Sequence, residues 1–246
     1  MGEVLTMSSI SAADYRDRFA ARTFTTGDIV LPYRLLTPSV RSAKEKLPLV
    51  VFLHGAGERG NDNEKQLIHG VTNFARDEIL EKYPAFVFAP QCPAEQKWVD
   101  VDWGAKSHTL PKRPSPSLSA VRQAIEKLRR EFSLDEARIF ITGLSMGGYG
   151  AWDAISRWPE LFAAAVPVCG GGDPALANNM RAVPVWAFHG SDDKAVPVER
   201  SREMIAALRA VGVEPKYTEY VGGGHDSWTQ TYQNQDLYEW LFAQRK

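Results

Sequence analysis

The sequence predicts one α/β domain in which helices cover both faces of a doubly wound, mostly parallel, eight-stranded sheet. Three observations predict this fold class. The 246 residues, 44% hydrophobic and 24% charged, match an ordinary globular domain that can bury its own core. Short apolar runs, typical of strands buried on both faces, alternate with amphipathic helical patterns. No linker-like stretch interrupts this alternation, so we expect residues 21–246 to form the domain and residues 1–20 an N-terminal extension.

The predicted strands are short and rich in apolar or β-branched residues. The first two predicted strands lie on either side of Gly27 and Asp28, which indicates that the domain begins with a hairpin-like pair of strands. The later strands alternate with helical patterns, and such connections between parallel strands are right-handed crossovers. The predicted strands are 22–26, 29–36, 49–53, 85–89, 138–142, 163–168, 183–188 and 216–220.

Between the strands, apolar residues recur every three or four positions, which is the spacing of one face of a helix. The clearest stripe comprises Leu118, Val121, Ile125, Leu128 and Phe132. A helical segment at 149–158 stops before Pro159, and another at 204–208 can end at Gly212. A last amphipathic helix is predicted around 237–241.

Charge and cysteine content exclude several classes of protein. The net charge is −1, from 29 basic and 30 acidic side chains without a basic patch, which argues against a nucleic-acid partner. Cys92 and Cys169 are too few for a disulfide framework and lack metal-site spacing, so no metal is expected and the state of both thiols stays open. No stretch approaches the ~20 apolar residues of a membrane span, so no membrane partner is expected. The N-terminus lacks the basic start and apolar run of a secretory signal. We therefore expect a cytoplasmic protein, unless a native signal has been removed; its oligomeric state stays open.

A serine between glycines follows the fifth predicted strand. The residues from Gly143 to Gly147 form a G-x-S-x-G pattern, with a further glycine at Gly148 and a helical segment after it. At so sharp a strand-to-helix turn, the residues two before and two after the serine come too close for side chains. The turn exposes the hydroxyl at the positive end of a helix. Ser145 is therefore the candidate nucleophile, and the alternative is a plain glycine-rich crossover turn.

A glycine-rich loop, HGAGERG, follows the third predicted strand. Its glycines let the backbone fold back over the sheet and present N–H groups near the serine, as an oxyanion hole requires. We expect the two donors to be the backbone N–H groups of Ala56 and Met146. His54 is expected to support the loop, while Glu58 and Arg59 are expected to form a local ion pair or brace.

A serine hydroxyl needs a base to take its proton, and that base is usually a histidine held by an acid. His225 follows the last predicted strand in a mobile glycine loop and is the candidate base. The other histidines have structural explanations. His54 and His189 each follow a strand and brace a turn, His69 lies in a helical pattern, and His108 lies in a proline-rich loop, the last two at the surface.

The acid is expected after the seventh predicted strand, where two aspartates are adjacent. Asp193 is four residues past His189, far enough along the loop for its carboxylate to turn back toward His225. Asp192 is well placed to bind turn amides instead. We favour Asp193 as the acid. Asp226 cannot easily face the imidazole of its own neighbour.

Together these motifs resemble those of the α/β-hydrolase superfamily. They are similar to its compact bacterial serine carboxylesterase and feruloyl-esterase-like group, also described as phospholipase/carboxylesterase or dienelactone-hydrolase-like. The resemblance covers nearly the whole chain, through HGAGERG, GLSMGGYG, HGSDDKAVP and GGGHDSW in that order. It implies ester hydrolysis through an acyl-enzyme on Ser145, with His225 as base, Asp193 as acid and Ala56 as an oxyanion residue. It implies no metal or organic cofactor, and the expected partner is a small-molecule ester.

Two features of the sequence limit the substrate. Residues 169–183, between the sixth and seventh strands, are too few for a large lid domain, so we expect an open active site. It would be lined by the loops 58–66 and 91–116, with Trp103 and Trp228 as candidate aromatic walls. We expect a preference for short-chain or aryl esters. Feruloyl or acetyl esters of plant polysaccharides are the alternative.

Two other classes of function stay open. A prolyl-oligopeptidase-like serine peptidase uses the same catalytic domain, but it normally carries a gating domain that 246 residues cannot hold. A non-catalytic binding module on this fold typically lacks a member of the triad, whereas all three candidates are present. The sequence therefore favours a serine carboxylesterase over both.

Overall fold

An eight-stranded sheet runs through the centre of the computed structural model, which describes residues 15–39 and 45–246. Every predicted strand is present, with ends that shift by a few residues. The strands are β1 (Phe19–Thr26), β2 (Ile29–Leu36), β3 (Leu47–Leu53), β4 (Phe86–Pro90), β5 (Leu134–Leu144), β6 (Ala164–Val168), β7 (Trp186–Gly190) and β8 (Lys216–Tyr220).

The strand order across the sheet is β1-β2-β4-β3-β5-β6-β7-β8. Strands β1 and β2 form an antiparallel hairpin, and β2 also pairs antiparallel with β4. From β4 to β8 all pairings are parallel. The carboxyl ends of β3, β5, β7 and β8 therefore lie at one edge of the sheet, where ligands bind in folds of this kind.

Strand β7 is predicted from residue 183 but begins at Trp186. Pro184 has no N–H to donate to a ladder, and its carbonyl instead accepts from Ala165 N at 3.0 Å. Val185 makes a single isolated bridge to Ala165. The sheet pairing of β7 consequently starts later than its apolar run suggests.

The helices are α1 (Asp77–Lys82), α2 (Pro116–Glu131), α3 (Met146–Arg157), α4 (Glu199–Ala210), α5 (Trp228–Gln233) and α6 (Gln235–Ala243). Two local features define the start of helix α2. Ser115 caps it by accepting from Leu118 N at 3.0 Å, and Pro116 occupies its first turn, where a missing N–H does no harm.

Each face of the sheet carries its own apolar core. Helices α2, α3 and α4 pack on the face that receives Leu49 and Val51, whereas α1, α5 and α6 pack on the face that receives Val50 and Phe52. Alternate residues of β3 thus enter opposite cores. Full burial of one apolar side chain of this size stabilises the fold by ~1.5–3 kcal/mol. The doubly wound α/β fold with helices on both faces is confirmed.

The connection from β6 to β7 contains one short 3-10 helix, Pro174–Met180, so no lid domain covers the sheet edge there. Strand β1 begins at Phe19, and most of the predicted extension, residues 1–14, lies outside the described residues, so the domain boundary stays a prediction. Within residues 15–39 and 45–246, no helix combines the length and apolarity needed to span a membrane. The cytoplasmic location stays a prediction from the sequence.

Candidate active site

Ser145 lies at a sharp turn between β5 and α3. Its backbone has φ 52° and ψ −118°, a region that non-glycine residues rarely adopt and that costs about 1–3 kcal/mol. The turn is closed by Ser145 N, which donates to Val168 O at 2.9 Å. A Cβ on Gly143 would overlap the carbonyl of Gly147, and one on Gly147 would overlap the carbonyl of Leu53. The glycines therefore allow the close packing that holds the strained serine in place.

His225 connects Ser145 to Asp193. Its Nδ1 lies 2.7 Å from Asp193 Oδ2 and its Nε2 lies 3.0 Å from Ser145 Oγ. A carboxylate oxygen can only accept, so Nδ1 carries a proton and Nε2 is left free to accept from the serine hydroxyl. The three residues come from the ends of β5, β7 and β8 and form one continuous hydrogen-bond chain.

Asp193 is the aspartate that reaches His225, and its side chain is fully buried. Burial by itself would raise the pKa of Asp193. The hydrogen bonds from His189, His225 and Val196 N outweigh burial and hold this pKa well below its usual range. Asp192, by contrast, is exposed and accepts from Ser191 Oγ at 3.0 Å.

His189 takes part in the site in a way that the sequence does not reveal. Its Nε2 faces two acceptors, Val196 O at 3.1 Å and Asp193 Oδ2 at 3.2 Å, so Nε2 is protonated. Its Nδ1 lies 2.7 Å from Ser201 Oγ on α4. Asp193 Oδ2 consequently receives two imidazole N–H groups, one from the candidate base and one from this completely buried second histidine. The only signal in the sequence is the four-residue spacing to Asp193.

The predicted oxyanion donors lie on two adjacent strand ends. Ala56 is the first residue of a 3-10 helix, Ala56–Glu58, and Met146 is the first residue of α3. Since N–H groups at the start of a helix lack partners within it, both are suited to bind an oxyanion. Strands β3 and β5 are paired up to Leu53 and Gly143, which brings both helix starts to the same place.

Two of the loop residues behave as expected and one does not. Burial lowers the pKa of His54 to about 4, and its Nε2 accepts from Cys92 N at 2.9 Å, so this histidine is neutral and supports the loop. Arg59 braces the loop by donating to Ala56 O at 2.9 Å. Glu58 does not pair with Arg59 but turns inward, where its Oε1 lies 3.8 Å from His69 Nε2.

The predictions for His69 and His108 are partly wrong, although the His69 side chain is 41% exposed, as expected of a surface residue. His69 lies in a bend after the 3-10 helix Lys65–Leu67 rather than in a helix, and its ring packs on that of Trp228 with centroids 5.5 Å apart. His108 is half-buried and lies 2.7 Å from the buried Arg200, and burial lowers its pKa to about 4. Both side chains are held by tertiary contacts that local sequence does not indicate.

The candidate aromatic walls differ in their surroundings. The Trp103 ring has two cations near it, Lys97 Nζ at 4.8 Å and Arg59 Cζ at 5.9 Å from its centroid. The Trp228 ring contacts the His225 ring edge to face, with centroids 5.3 Å apart and planes at 90°. Trp228 therefore lies directly beside the candidate base, whereas Trp103 packs with the loop that carries Arg59.

One group of potential metal ligands occurs among the described residues. Sγ of Cys169 and one ligand atom each of Asp193 and His225 lie within 4.8 Å of one another. The imidazole and carboxylate are hydrogen-bonded to each other, and burial raises the pKa of the Cys169 thiol to about 12. A neutral buried thiol is a poor ligand, and the other two side chains already bind each other, so these three residues do not fit a metal site.

The chain is similar to carboxylesterases and other esterases. A sequence model of the phospholipase/carboxylesterase family matches residues 37–241. A probable carboxylesterase of Arabidopsis thaliana is 24% identical over 191 residues, covering 72% of this chain and 71% of that protein. A bifunctional acetylxylan esterase/xylanase of Neocallimastix patriciarum is 32% identical over 73 residues, covering 30% of this chain and 11% of its own length.

Among solved structures, the crystal structure of a thermostable esterase superposes with a TM-score of 0.89 at 44% identity. The match covers 94% of this chain and 64% of that one, so this chain spans less than two thirds of that esterase.

Proposed function

The chain belongs to the phospholipase/carboxylesterase family and is an esterase-type hydrolase, and from this premise we propose that it hydrolyses short-chain or aryl carboxylic esters through an acyl-enzyme on Ser145. The observation that carries the proposal is the hydrogen-bond chain Ser145 Oγ to His225 Nε2 (3.0 Å) and His225 Nδ1 to Asp193 Oδ2 (2.7 Å). Such a chain makes a serine hydroxyl nucleophilic.

In the proposed acylation step, Ser145 Oγ forms a bond to the ester carbonyl carbon while its proton passes to His225 Nε2. The negative carbonyl oxygen is bound by the N–H groups of Ala56 and Met146, each worth about 3 kcal/mol of transition-state stabilisation. When the intermediate collapses, the bond to the alcohol oxygen breaks and that oxygen takes the proton from His225. Asp193 remains a carboxylate throughout and stabilises the imidazolium.

In deacylation, His225 Nε2 takes a proton from water as the water oxygen bonds to the acyl carbon. The bond to Ser145 Oγ then breaks, and the serine regains its proton from His225. The products are the carboxylic acid and the alcohol, and the enzyme is regenerated without any external oxidant or reductant.

The preference for small acyl groups rests on the open edge of the sheet. The connection between β6 and β7 holds one short 3-10 helix in place of a lid that could bury a long acyl chain. A series of 4-nitrophenyl esters from acetate to palmitate tests this preference. Higher turnover on the palmitate than on the acetate would contradict it.

The role of Ser145 has a direct test. Ser145→Ala is expected to abolish turnover without altering the circular dichroism spectrum, and a fluorophosphonate should label the Ser145 peptide of the wild-type protein only. Substantial residual turnover in the variant, or labelling elsewhere, would refute the assignment.

Acetyl esters of plant polysaccharides are the second candidate substrate class. The name of the Neocallimastix patriciarum relative, a bifunctional acetylxylan esterase/xylanase, favours it. Release of acetate from acetylated xylan, compared with release of ferulate from methyl ferulate, distinguishes this class from feruloyl esters.

A further inference from the structure

A small cleft lies beside Trp228, at the start of α5. Its volume is about 260 Å³. This is just below the ~300–1,000 Å³ of pockets that hold drug-sized ligands, so it suits one small ring. The lining residues that matter most are His69, Thr72, Asn73, Arg76, Trp228 and Thr229.

One series of contacts connects this cleft to Ser145. Trp228 lines the cleft and packs edge to face on His225, whose Nε2 lies 3.0 Å from Ser145 Oγ. His69 also lines the cleft, and its Nε2 lies 3.8 Å from Glu58 Oε1. Trp228 therefore connects the cleft to the imidazole that lies beside Ser145.

Three buried polar atoms in the lining of the cleft or beside it lack a hydrogen-bond partner. They are Glu58 Oε2, Arg76 Nη2 and Trp228 Nε1. The Glu58 side chain is only 9% exposed, and a buried polar group left unpaired costs about 1–3 kcal/mol. Two unpaired donors in the lining of the cleft, with one unpaired acceptor beside His69, indicate a ligand with several hydroxyl groups.

The charged residues around the cleft further restrict the kind of alcohol that suits it. Its lining residues include Arg76 but no aspartate or glutamate. Arg76 Nε forms an ion pair with Glu78 Oε1 at 3.3 Å, outside the lining, so the cleft offers no carboxylate to a cationic alcohol. An apolar alcohol would leave Arg76 Nη2 and Trp228 Nε1 unpaired. A sugar ring presents hydroxyls at its edge and C–H groups on its face, so it suits both the polar side chains and the indole of Trp228.

We propose that this cleft binds the alcohol portion of the ester, and that it favours an uncharged polyhydroxylated alcohol such as a sugar ring placed against Trp228. The inference rests on the proposed function, because His225 must protonate the leaving alcohol oxygen and the rest of that alcohol must extend past His225. Trp228 occupies that position. The acyl group then faces the other loops, which agrees with the preference for small acyl groups.

The test uses two acetate esters with the same acyl group and leaving groups of similar size. One is a monoacetate of methyl β-xylopyranoside and the other is cyclohexyl acetate, which lacks the hydroxyls. We expect the wild-type protein to favour the sugar ester at least about tenfold in kcat/KM, since sites that bind hydroxyls reject analogues without them. Near-equal kcat/KM values would overturn the cleft proposal while leaving the proposed function intact. Failure to hydrolyse either ester, together with no labelling of Ser145, would instead overturn the proposed function.

Two variants and one control identify the residues responsible. Trp228→Ala and Arg76→Gln should each reduce the preference for the sugar ester by about five- to tenfold, with a smaller effect on cyclohexyl acetate. Trp158→Ala is the matched control, because that indole contacts Arg122 at 5.1 Å, away from this cleft. If Trp228→Ala reduces both substrates equally and Arg76→Gln changes neither, the two residues support the fold and the proposal is wrong. Arg76→Gln does not touch His225 and decides the question if Trp228→Ala fails to fold.

Discussion

Replacement of Asp193 by asparagine removes an acceptor that no amide orientation can restore. Asp193 Oδ1 accepts from Ala195 N at 2.8 Å and Val196 N at 2.9 Å. Oδ2 faces His225 Nδ1 at 2.7 Å and His189 Nε2 at 3.2 Å. All four partners are donors in the native arrangement, whereas an amide has one oxygen and one NH₂ group. In either orientation, the NH₂ group of the substituted side chain would face two N–H donors.

The less costly orientation keeps the amide oxygen on the two backbone N–H groups, because those donors cannot change their protonation. The NH₂ group then faces His225, which must accept at Nδ1 and carry its proton on Nε2. In that tautomer, His225 cannot take the proton of Ser145. We expect kcat to fall by about 10⁴, equivalent to about 5 kcal/mol at ~1.4 kcal/mol per factor of ten.

The measurement is kcat on 4-nitrophenyl acetate, with thermal unfolding followed in parallel. Asp192→Asn is the matched control, since its exposed carboxylate contacts Ser191 Oγ at 3.0 Å and should change kcat less than about threefold. If Asp192→Asn reduces kcat more than Asp193→Asn, or if Asp193→Asn keeps a tenth of the activity, the assignment of the acid is wrong.

Two further predictions concern buried groups. His189→Asn removes the N–H that reaches Asp193, whereas His189→Gln can keep a donor near the Nε2 position. We therefore expect kcat to fall about tenfold more in the asparagine variant, with KM similar in both, as measured by steady-state kinetics. Burial raises the pKa of Asp153 to about 6, against the opposing effect of Arg157. Because this folded-state pKa lies above the value of 3.8 for an unperturbed aspartate, the wild-type protein should lose about 3 kcal/mol of stability as pH rises from 4 through 6. Urea unfolding at pH 4 and pH 7 should show that Asp153→Asn lacks this loss.

Equal kcat values for the two His189 variants would mean that this histidine only fills space between β7 and α4. Parallel pH profiles for Asp153→Asn and the wild-type protein would mean that the ion pair with Arg157, at 2.6 Å, keeps the carboxylate charged throughout this range.

The strands and the sharp turn at Ser145 could be predicted because local sequence determines them. Continuous apolar runs are required wherever a strand is covered on both faces, and all eight runs became strands. Ser145 could be predicted because the strained turn admits only glycine at Gly143 and Gly147, a requirement visible within five residues. The ends of β7 were less predictable, since the loss of pairing at Pro184 depends on its neighbour β6.

The electrostatic surroundings of the site could not be predicted in the same way. Asp192 and Asp193 are chemically identical in the sequence, and only the packing of the loop after β7 buries one of them beside His225 and leaves the other exposed. The second histidine on Asp193 and the inward turn of Glu58 also depend on contacts between distant segments.

The sequence by itself thus determined a doubly wound α/β-hydrolase sheet and the chemical types of residue at its strand ends, because burial and backbone strain act over a few neighbouring residues. Only the tertiary structure decided which aspartate contacts His225 and which cleft lies beside it. Hydrogen bonds and exposure depend on side chains that are far apart in the chain, such as Ser145 and His225, and come together at one edge of the sheet.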